Sequence, residues 1–310
     1  MDNLTHSLAG AVLGQMGLKR KTGLAMPTLI IGANLPDIDA WTTVFGIESL
    51  AMRRGLTHGP VALVILPILL WFAMLAWNKW RPNEARLPVH RSWLLALAYI
   101  GTLSHPALDW LNNYGIRLLE PFSSQWFYGD TLFIIDVWVW AALIAGVWIS
   151  VRREKRGSAN WRSPAIASFG AICLYILANG LITGRAESQT HDHVVEELKR
   201  TPTLVVANAV PVKFWEREMV WRDAQMFGDG RFSLGKGVSL DPTLRPIGMD
   251  NPLIDQAKAA DPAVAAFLFW SRMPVARVEG KELVITDQRF YDPMVRGRFT
   301  VVWPIPENAP

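Results

Sequence analysis

The sequence predicts a mainly α-helical, integral-membrane bundle over residues 1–184, followed by a small β-rich domain over residues 185–310. Three observations predict it. Apolar residues make up 51% of the chain but crowd into its first part. That part holds runs long enough to cross a hydrocarbon core of about 30 Å. The remainder has the mixture of an ordinary soluble domain, with apolar–polar alternation broken by turn residues.

Taken in order, segments 4–18 and 22–36 would each reach only about 22 Å at 1.5 Å per residue. They are therefore tilted, partly inserted, or a helical hairpin packed on the others. The run 60–78 is a third segment, and 93–108 is shorter but strongly apolar. Runs 131–151 and 164–184 are clearly long enough to span. Six segments are expected.

The loops give an orientation. Lys19, Arg20 and Lys21 follow the first segment; Lys79, Arg81, Arg86 and Arg91 follow the third; Arg152, Arg153, Lys155, Arg156 and Arg162 follow the fifth. The opposite loops offset Arg53, Arg54 and Arg117 with Glu48, Glu120 and Asp130. The positive-inside rule then makes the first set cytoplasmic and places residues 185–310 outside. Fifteen Trp suit interfacial anchoring. A net charge of +4 would also suit nucleic acid, but the cations sit in short clusters between apolar runs. No direct nucleic-acid binding is expected.

The single cysteine, Cys173, excludes an intrachain disulfide and a cysteine-based zinc site; within its apolar run it reads as a small packing residue. The opening M-D-N-L-T-H puts an acid where a signal peptide carries basic residues, so no cleaved signal is expected. After residue 184 comes a polar helical stretch, AESQTHDHVVEELKR, and then the strand-like LVVANAVPVKFWER. A Gly/Asp/Pro-rich middle follows, and ARVEGKELVITDQRFYDP and RGRFTVVWPIP read as strands again.

Five residues stand out against this apolar background: His6, Asp37, His58, His105 and Asp109. Ionisable side chains are costly in such segments and ask for a chemical reason. H105-P-A-L-D109 places an imidazole and a carboxylate on one helix face. On the topology above, all five fall near the non-cytoplasmic surface. Imidazole nitrogen and carboxylate oxygen are the usual oxygen–nitrogen ligands of zinc, so the set predicts a divalent metal site of one or two ions, with Asp37 as the natural bridge. Asp2, Asp39, Asp130 and Asp136 are candidates for further ligands, a general base, or partners that fix a histidine tautomer. Arg54 could meet an anionic substrate or lipid headgroups, and Asn112 could contact a substrate.

Each residue also has a plain structural reading. His105 and Asp109 fit a mutual hydrogen bond at a helix end, and P36-D37-I38-D39 a helix stop followed by a turn. His6 fits a first-turn histidine capped by Thr5 or Asn3, and His58 a loop residue before Gly59-Pro60. Convergence of all of them on one face favours a shared site. His90 and the H191-x-H193 pair sit among polar residues and read as solvated.

At M1-D2-x-x-T5-H6-S7-L8-x-G10, N34-x-P36-D37-I38-D39, R54-G55-L56-T57-H58-G59 and S104-H105-P106-x-L108-D109, the chain resembles the membrane-bound, metal-dependent hydrolase family, also called LexA-binding, inner membrane-associated hydrolases. The series N112-x-Y114-G115, P121-F122-S123, W126 and D130-x-x-F133-I134-I135-D136 continues the likeness, which covers about residues 1–155. The resemblance implies a bacterial inner membrane location and a regulatory protein partner. The family is distantly similar to zinc-dependent phospholipase C and the S1/P1 nucleases. That similarity implies a helical phospholipase C/P1 nuclease-like core with bound zinc and cleavage of phosphodiesters or phospholipids. The later His and H-x-x-x-E pair that would complete a three-zinc cluster is missing from this sequence, which favours one or two ions.

The expected function is therefore hydrolysis of an ester or phosphoester in a membrane lipid or other amphiphile. His6, Asp37, His58, His105 and Asp109 would hold metal, and Asp39 or Asp136 would act as base or support. The alternative is a non-catalytic, metal-stabilised membrane scaffold or regulator.

Overall fold

A computed structural model describes residues 1–290 and 296–307. The chain divides into two compact units: Met1–Asp39, Arg54–Leu181 and Pro211–Phe214 form the first, and Ala40–Arg53, Ile182–Val210 and Trp215–Pro310 the second.

The first unit is helical. Its elements are α1 (Asn3–Gln15), α2 (Ala25–Asn34), α4 (Pro60–Trp80), α5 (Arg91–Asp109), α6 (Val137–Lys155) and the part of α7 (Ser163–Leu198) up to Leu181. Asp2 starts α1 by accepting from the backbone N–H groups of Leu4 and Thr5, which satisfies two donors that a helix start leaves open. Pro60 stands at the first helical position of α4, where its missing N–H costs nothing.

Glycines let α1, α2 and α5 approach backbone to backbone. A Cβ on Gly10 would come within 2.7 Å of the Leu29 carbonyl oxygen, and one on Gly101 within 2.8 Å of the same atom. His6 lies four residues before Gly10 and His105 four residues after Gly101, so each shares its glycine's helix face. The contact that joins the helices thus also brings the two imidazoles together.

The expectation of a six-segment membrane bundle is corrected here. Among the described residues only Pro60–Trp80 and Ser163–Leu198 are long and apolar enough to cross a membrane, and only 22% of the apolar window of each is buried. A soluble core helix would be mostly covered, so these two exposed surfaces are suited to lipid. Three of the expected spans fail for visible reasons. The 13 residues of α1 and 10 of α2 are too short. The apolar run 131–151 becomes helical only from Val137, because Asp136 caps the helix, and its last turn carries Arg152, Arg153 and Lys155. The fourth expected segment is the 19-residue α5, whose face with Leu94, Leu97, Gly101 and His105 is buried against protein. With two antiparallel sheets besides, the chain is mixed α and β, not a mainly α membrane bundle.

The second unit contains the single turn α3 (Ser49–Met52), residues 182–198 of α7, two sheets and two short helices. Strands β1 (Leu204–Ala209), β2 (Glu216–Arg222), β3 (Met226–Ser233) and β4 (Gly237–Leu240) pair in sequence order, and β5 (Arg245–Pro246) pairs with β3. Register sets Val206 opposite Val220 and Trp221 opposite Gly228, where the indole lies so close that a Cβ would meet it at 2.8 Å. Helices α8 (Leu253–Ala260) and α9 (Pro262–Trp270) precede the sheet β6-β7-β8 (Pro274–Glu279, Glu282–Asp287, Thr300–Pro304). The expected strand run ending in Y291-D292-P293 is described only to Phe290; its last three residues lie outside the described residues. Cys173 is exposed on α7 and is not a packing residue.

Candidate metal centre

Four elements of the first unit deliver the site. His6 comes from α1, and His105 and Asp109 from the last turn of α5. Asp37 and Asp39 come from the 3-10 stretch Leu35–Glu48 that follows α2, and His58 from the 3-10 turn Leu56–His58 before α4. His6, His58, His105 and Asp109 are completely buried. One ligand atom from each of Asp37, His58, His105 and Asp109 lies within 4.8 Å of all the others, so the group could hold a metal ion.

Hydrogen bonding fixes which imidazole atoms face inward. His105 Nδ1 lies 2.7 Å from the Ala33 carbonyl oxygen. A carbonyl only accepts, so Nδ1 carries the proton and neutral His105 keeps a lone pair on Nε2. The Thr57 hydroxyl donates to Asp39 Oδ2 at 2.8 Å, which leaves its oxygen to accept from His58 Nδ1 at 2.9 Å. Neutral His58 therefore also has its lone pair on Nε2. The two Nε2 atoms are 3.1 Å apart. Asp109 Oδ2 is 3.6 Å from His58 Nε2 and 3.5 Å from His105 Nε2, and Asp37 Oδ1 is 3.7 Å from His105 Nε2.

Two lone pairs at that separation repel unless a proton or a cation lies at their meeting point. A proton is disfavoured: burial pushes His105 and His6 well below the ordinary imidazole value, and His58 below it as well. A metal cation meets the electrostatic demand, and the donor set of imidazoles and carboxylates fits one.

Other groups pack around this core. His6 stacks on His105 with ring centroids 3.8 Å apart, and its Nε2 lies 3.2 Å from Asp109 Oδ1. The amino group of Met1 also pairs with that oxygen. Arg54 Nε is 3.0 Å from Asp109 Oδ2, and Arg54 Nη1 donates to Asn112 Oδ1 at 2.9 Å. Asp39 stands behind His58 and accepts from the Arg54 backbone N–H at 2.8 Å. Burial opposes its ionisation, but bonds from His58, Thr57 and Arg54 hold its carboxyl below the usual carboxylate value.

The remaining expected residues are elsewhere. Asp2 caps α1. Asp136 accepts from the Trp138 and Val139 backbones at the start of α6 and from the Tyr175 hydroxyl at 3.1 Å. It is a helix cap, and the structure does not bring it into the group proposed for catalysis. Asp130 is buried with a left-handed φ of 47°, also outside the group. Sequence reading missed Thr57 and the Ala33 carbonyl. Thr57 had a weak signal, since it directly precedes His58; a backbone carbonyl has none.

A family model described as the YdjM inner membrane protein matches residues 1–186. The chain belongs to the YdjM family. No curated protein and no solved structure matches it. The YdjM match covers all five residues of the expected metal set and both apolar helices up to Ala186. It carries the inner-membrane part of the resemblance noted in the sequence; the likeness to phospholipase C and the S1/P1 nucleases has no match behind it.

Proposed function

We propose that this YdjM-family protein is a membrane-bound, metal-dependent hydrolase of an ester or phosphoester in a lipid or other amphiphile. One observation carries the reading: two buried imidazoles whose Nδ1 protons are spent elsewhere turn unprotonated Nε2 atoms toward each other at 3.1 Å, beside two carboxylates. Asp37, His58, His105 and Asp109 would hold the cation, with zinc the best match to this donor set. When bound, such an ion supplies Lewis acidity and makes water a nucleophile near neutral pH.

The chain's own residues do the rest. Asp39 and Thr57 orient His58, the Ala33 carbonyl orients His105, and Arg54 with Asn112 offers positive charge and hydrogen bonding to a substrate anion. The preference for an amphiphile rests on location. His58 lies two residues before the apolar helix that begins at Pro60. The turn holding Leu119 and Phe122 packs on Gly59, where a Cβ would meet the Glu120 carbonyl oxygen at 1.9 Å. Leu56, Leu119 and Phe122 are all exposed there. A polar site rimmed by exposed apolar side chains at the end of a membrane helix suits a bond at headgroup depth. The positive-inside rule would set this end outside the cytoplasm, since Lys79 and Arg81 mark the other end of α4.

The second reading is a metal-stabilised scaffold or regulator docking a protein partner. The Arg54 guanidinium, 3.0 Å from Asp109 Oδ2, already pairs with a carboxylate that would hold the ion, and this favours it. The two readings part on hydrolysis. Full-length protein in micelles carrying a labelled phospholipid should release product, stop with chelator, resume with zinc, and stay silent as Asp37→Asn. Bound metal with no cleavage across lipid and phosphodiester panels would leave the scaffold reading in place.

A further inference from the structure

The far end of α4 carries a second cleft of different chemistry. It has a volume of about 510 Å³ and lies between the start of α2, the last turns of α4 and the loop after it. Met26, Ile31, Met74 and Trp77 give it apolar walls, and Lys19 and Arg86 stand at its edge. Ile31 and Trp77 are exposed, although both belong to apolar surface. Trp77 and Met74 sit on the helix already identified as long and apolar enough to cross a membrane.

Charge around the cleft is lopsided. Arg20 and Lys21 follow Lys19 in sequence, and Lys79 and Arg81 lie between Trp77 and Arg86. Of the carboxylates there, Glu154 is held by Lys19 and Arg20, and Glu84 lies in the loop beside Arg86. Arg86 Nη1 makes a 3.3 Å hydrogen bond to Asn78 Oδ1, and the residue is half-buried at the edge of the cleft.

We infer that this cleft binds one anionic phospholipid, its phosphodiester at Arg86, with Lys19 (shared with Glu154) at the opposite edge, and the upper part of an acyl chain along Met26, Ile31, Met74 and Trp77. Apolar walls alone would take any lipid, and cations alone any anion. Their meeting at the end of a membrane helix selects a molecule with both features. The site is separate from the proposed hydrolytic centre: α4 has 21 residues, which at 1.5 Å each puts about 31 Å between its two ends. The lipid here is a bound ligand and not a substrate, so the inference stands whatever the metal centre does.

Native mass spectrometry of the full chain, released from micelles containing phosphatidylglycerol and phosphatidylcholine of identical chains, tests this. Wild type should retain phosphatidylglycerol over phosphatidylcholine by about fivefold for each edge cation engaged, and Arg86→Gln should lower that ratio by about fivefold. Ile31→Glu keeps both cations but puts a carboxylate in the chain track, and it should lower phosphatidylglycerol retention even if Arg86→Gln disturbs folding. Equal retention of the two lipids, or no change in either variant, overturns the proposal. So does displacement of the lipid by soluble glycerophosphoglycerol, which would mark a site for a free anion.

Discussion

Two buried charge clusters, one in each unit, are built on opposite plans. In the second unit Asp287 is fully buried, yet its oxygens are consumed: Arg289 Nε and Nη2 donate to it at 2.9 Å each, the Arg289 backbone at 2.9 Å, and the Ser271 hydroxyl at 2.6 Å. The Trp270 and Phe290 rings lie against the guanidinium. Donors and acceptors match, so the cluster is complete within the protein. In the first unit the imbalance runs the other way, since His58 and His105 present acceptor nitrogens to each other beside carboxylates. A closed set holds a fold together; a set with acceptors in excess asks for a cation.

The largest effect that would sharpen the contrast is loss of one partner from the closed pair. Arg289→Ala should leave Asp287 buried and uncompensated and cost the second unit about 3–5 kcal/mol. Chemical denaturation followed by hydrogen exchange of the 283–290 segment would report it. A variant as stable as wild type would mean the pair is not the closed structural element described. The open set should answer to metal instead: zinc at 100 times its dissociation constant should stabilise the first unit by about 2.7 kcal/mol and leave the second unmoved.

A smaller effect comes from the groups behind the ligands. Asp39→Asn or Thr57→Val should weaken zinc binding by about 10–100-fold without abolishing it, because each releases the His58 ring from its tautomer and orientation. Calorimetric titration distinguishes this from complete loss. An affinity equal to wild type would remove Asp39 from any role at the site.

Acid separates the clusters most gently. Burial holds His6, His58 and His105 below the ordinary imidazole value of about 6.5, so the unfolded chain binds protons there that the folded one refuses. Without metal, the first unit should therefore lose stability as pH falls below about 6.5. Asp287 is opposed by burial but held below the usual carboxylate value by Arg289 and Ser271. Its contribution is present above the unfolded carboxylate value of about 3.9 and is lost only as pH falls through the lower folded one. Hydrogen exchange across pH 7 to 4, corrected for intrinsic rates, should thus loosen α5 before β7. The reverse order would contradict the assignment of neutral, buried imidazoles.

The site was more legible in the sequence than the fold. His58, His105, Asp37 and Asp109 stood out because ionisable residues are conspicuous in apolar surroundings, and spacing alone put His105 and Asp109 on one face. Helix α4 was legible as an unbroken apolar run. The spans were over-counted because an apolar run is not yet a span: α5 is long enough, but with Arg91, Ser104, His105 and Asp109 it is less apolar than α4, and its glycine-bearing face meets α2. Asp136 reads in the sequence as a base or a supporting group, and the structure reveals it as a helix cap. In the second unit β3, M226-F-G-D-G-R-F-S233, was hidden by its glycines; Gly228 is needed beneath Trp221, a demand that no local pattern carries.

The most direct measurement is the metal content of the full-length protein, purified without chelator and compared with the His105→Ala/Asp109→Ala double variant. The account predicts at least one zinc per chain in the wild type, and in the variant none, with membrane insertion and the second unit's folding retained. Stoichiometric zinc persisting in the variant would mean that the ion, and any chemistry it supports, belongs to other residues.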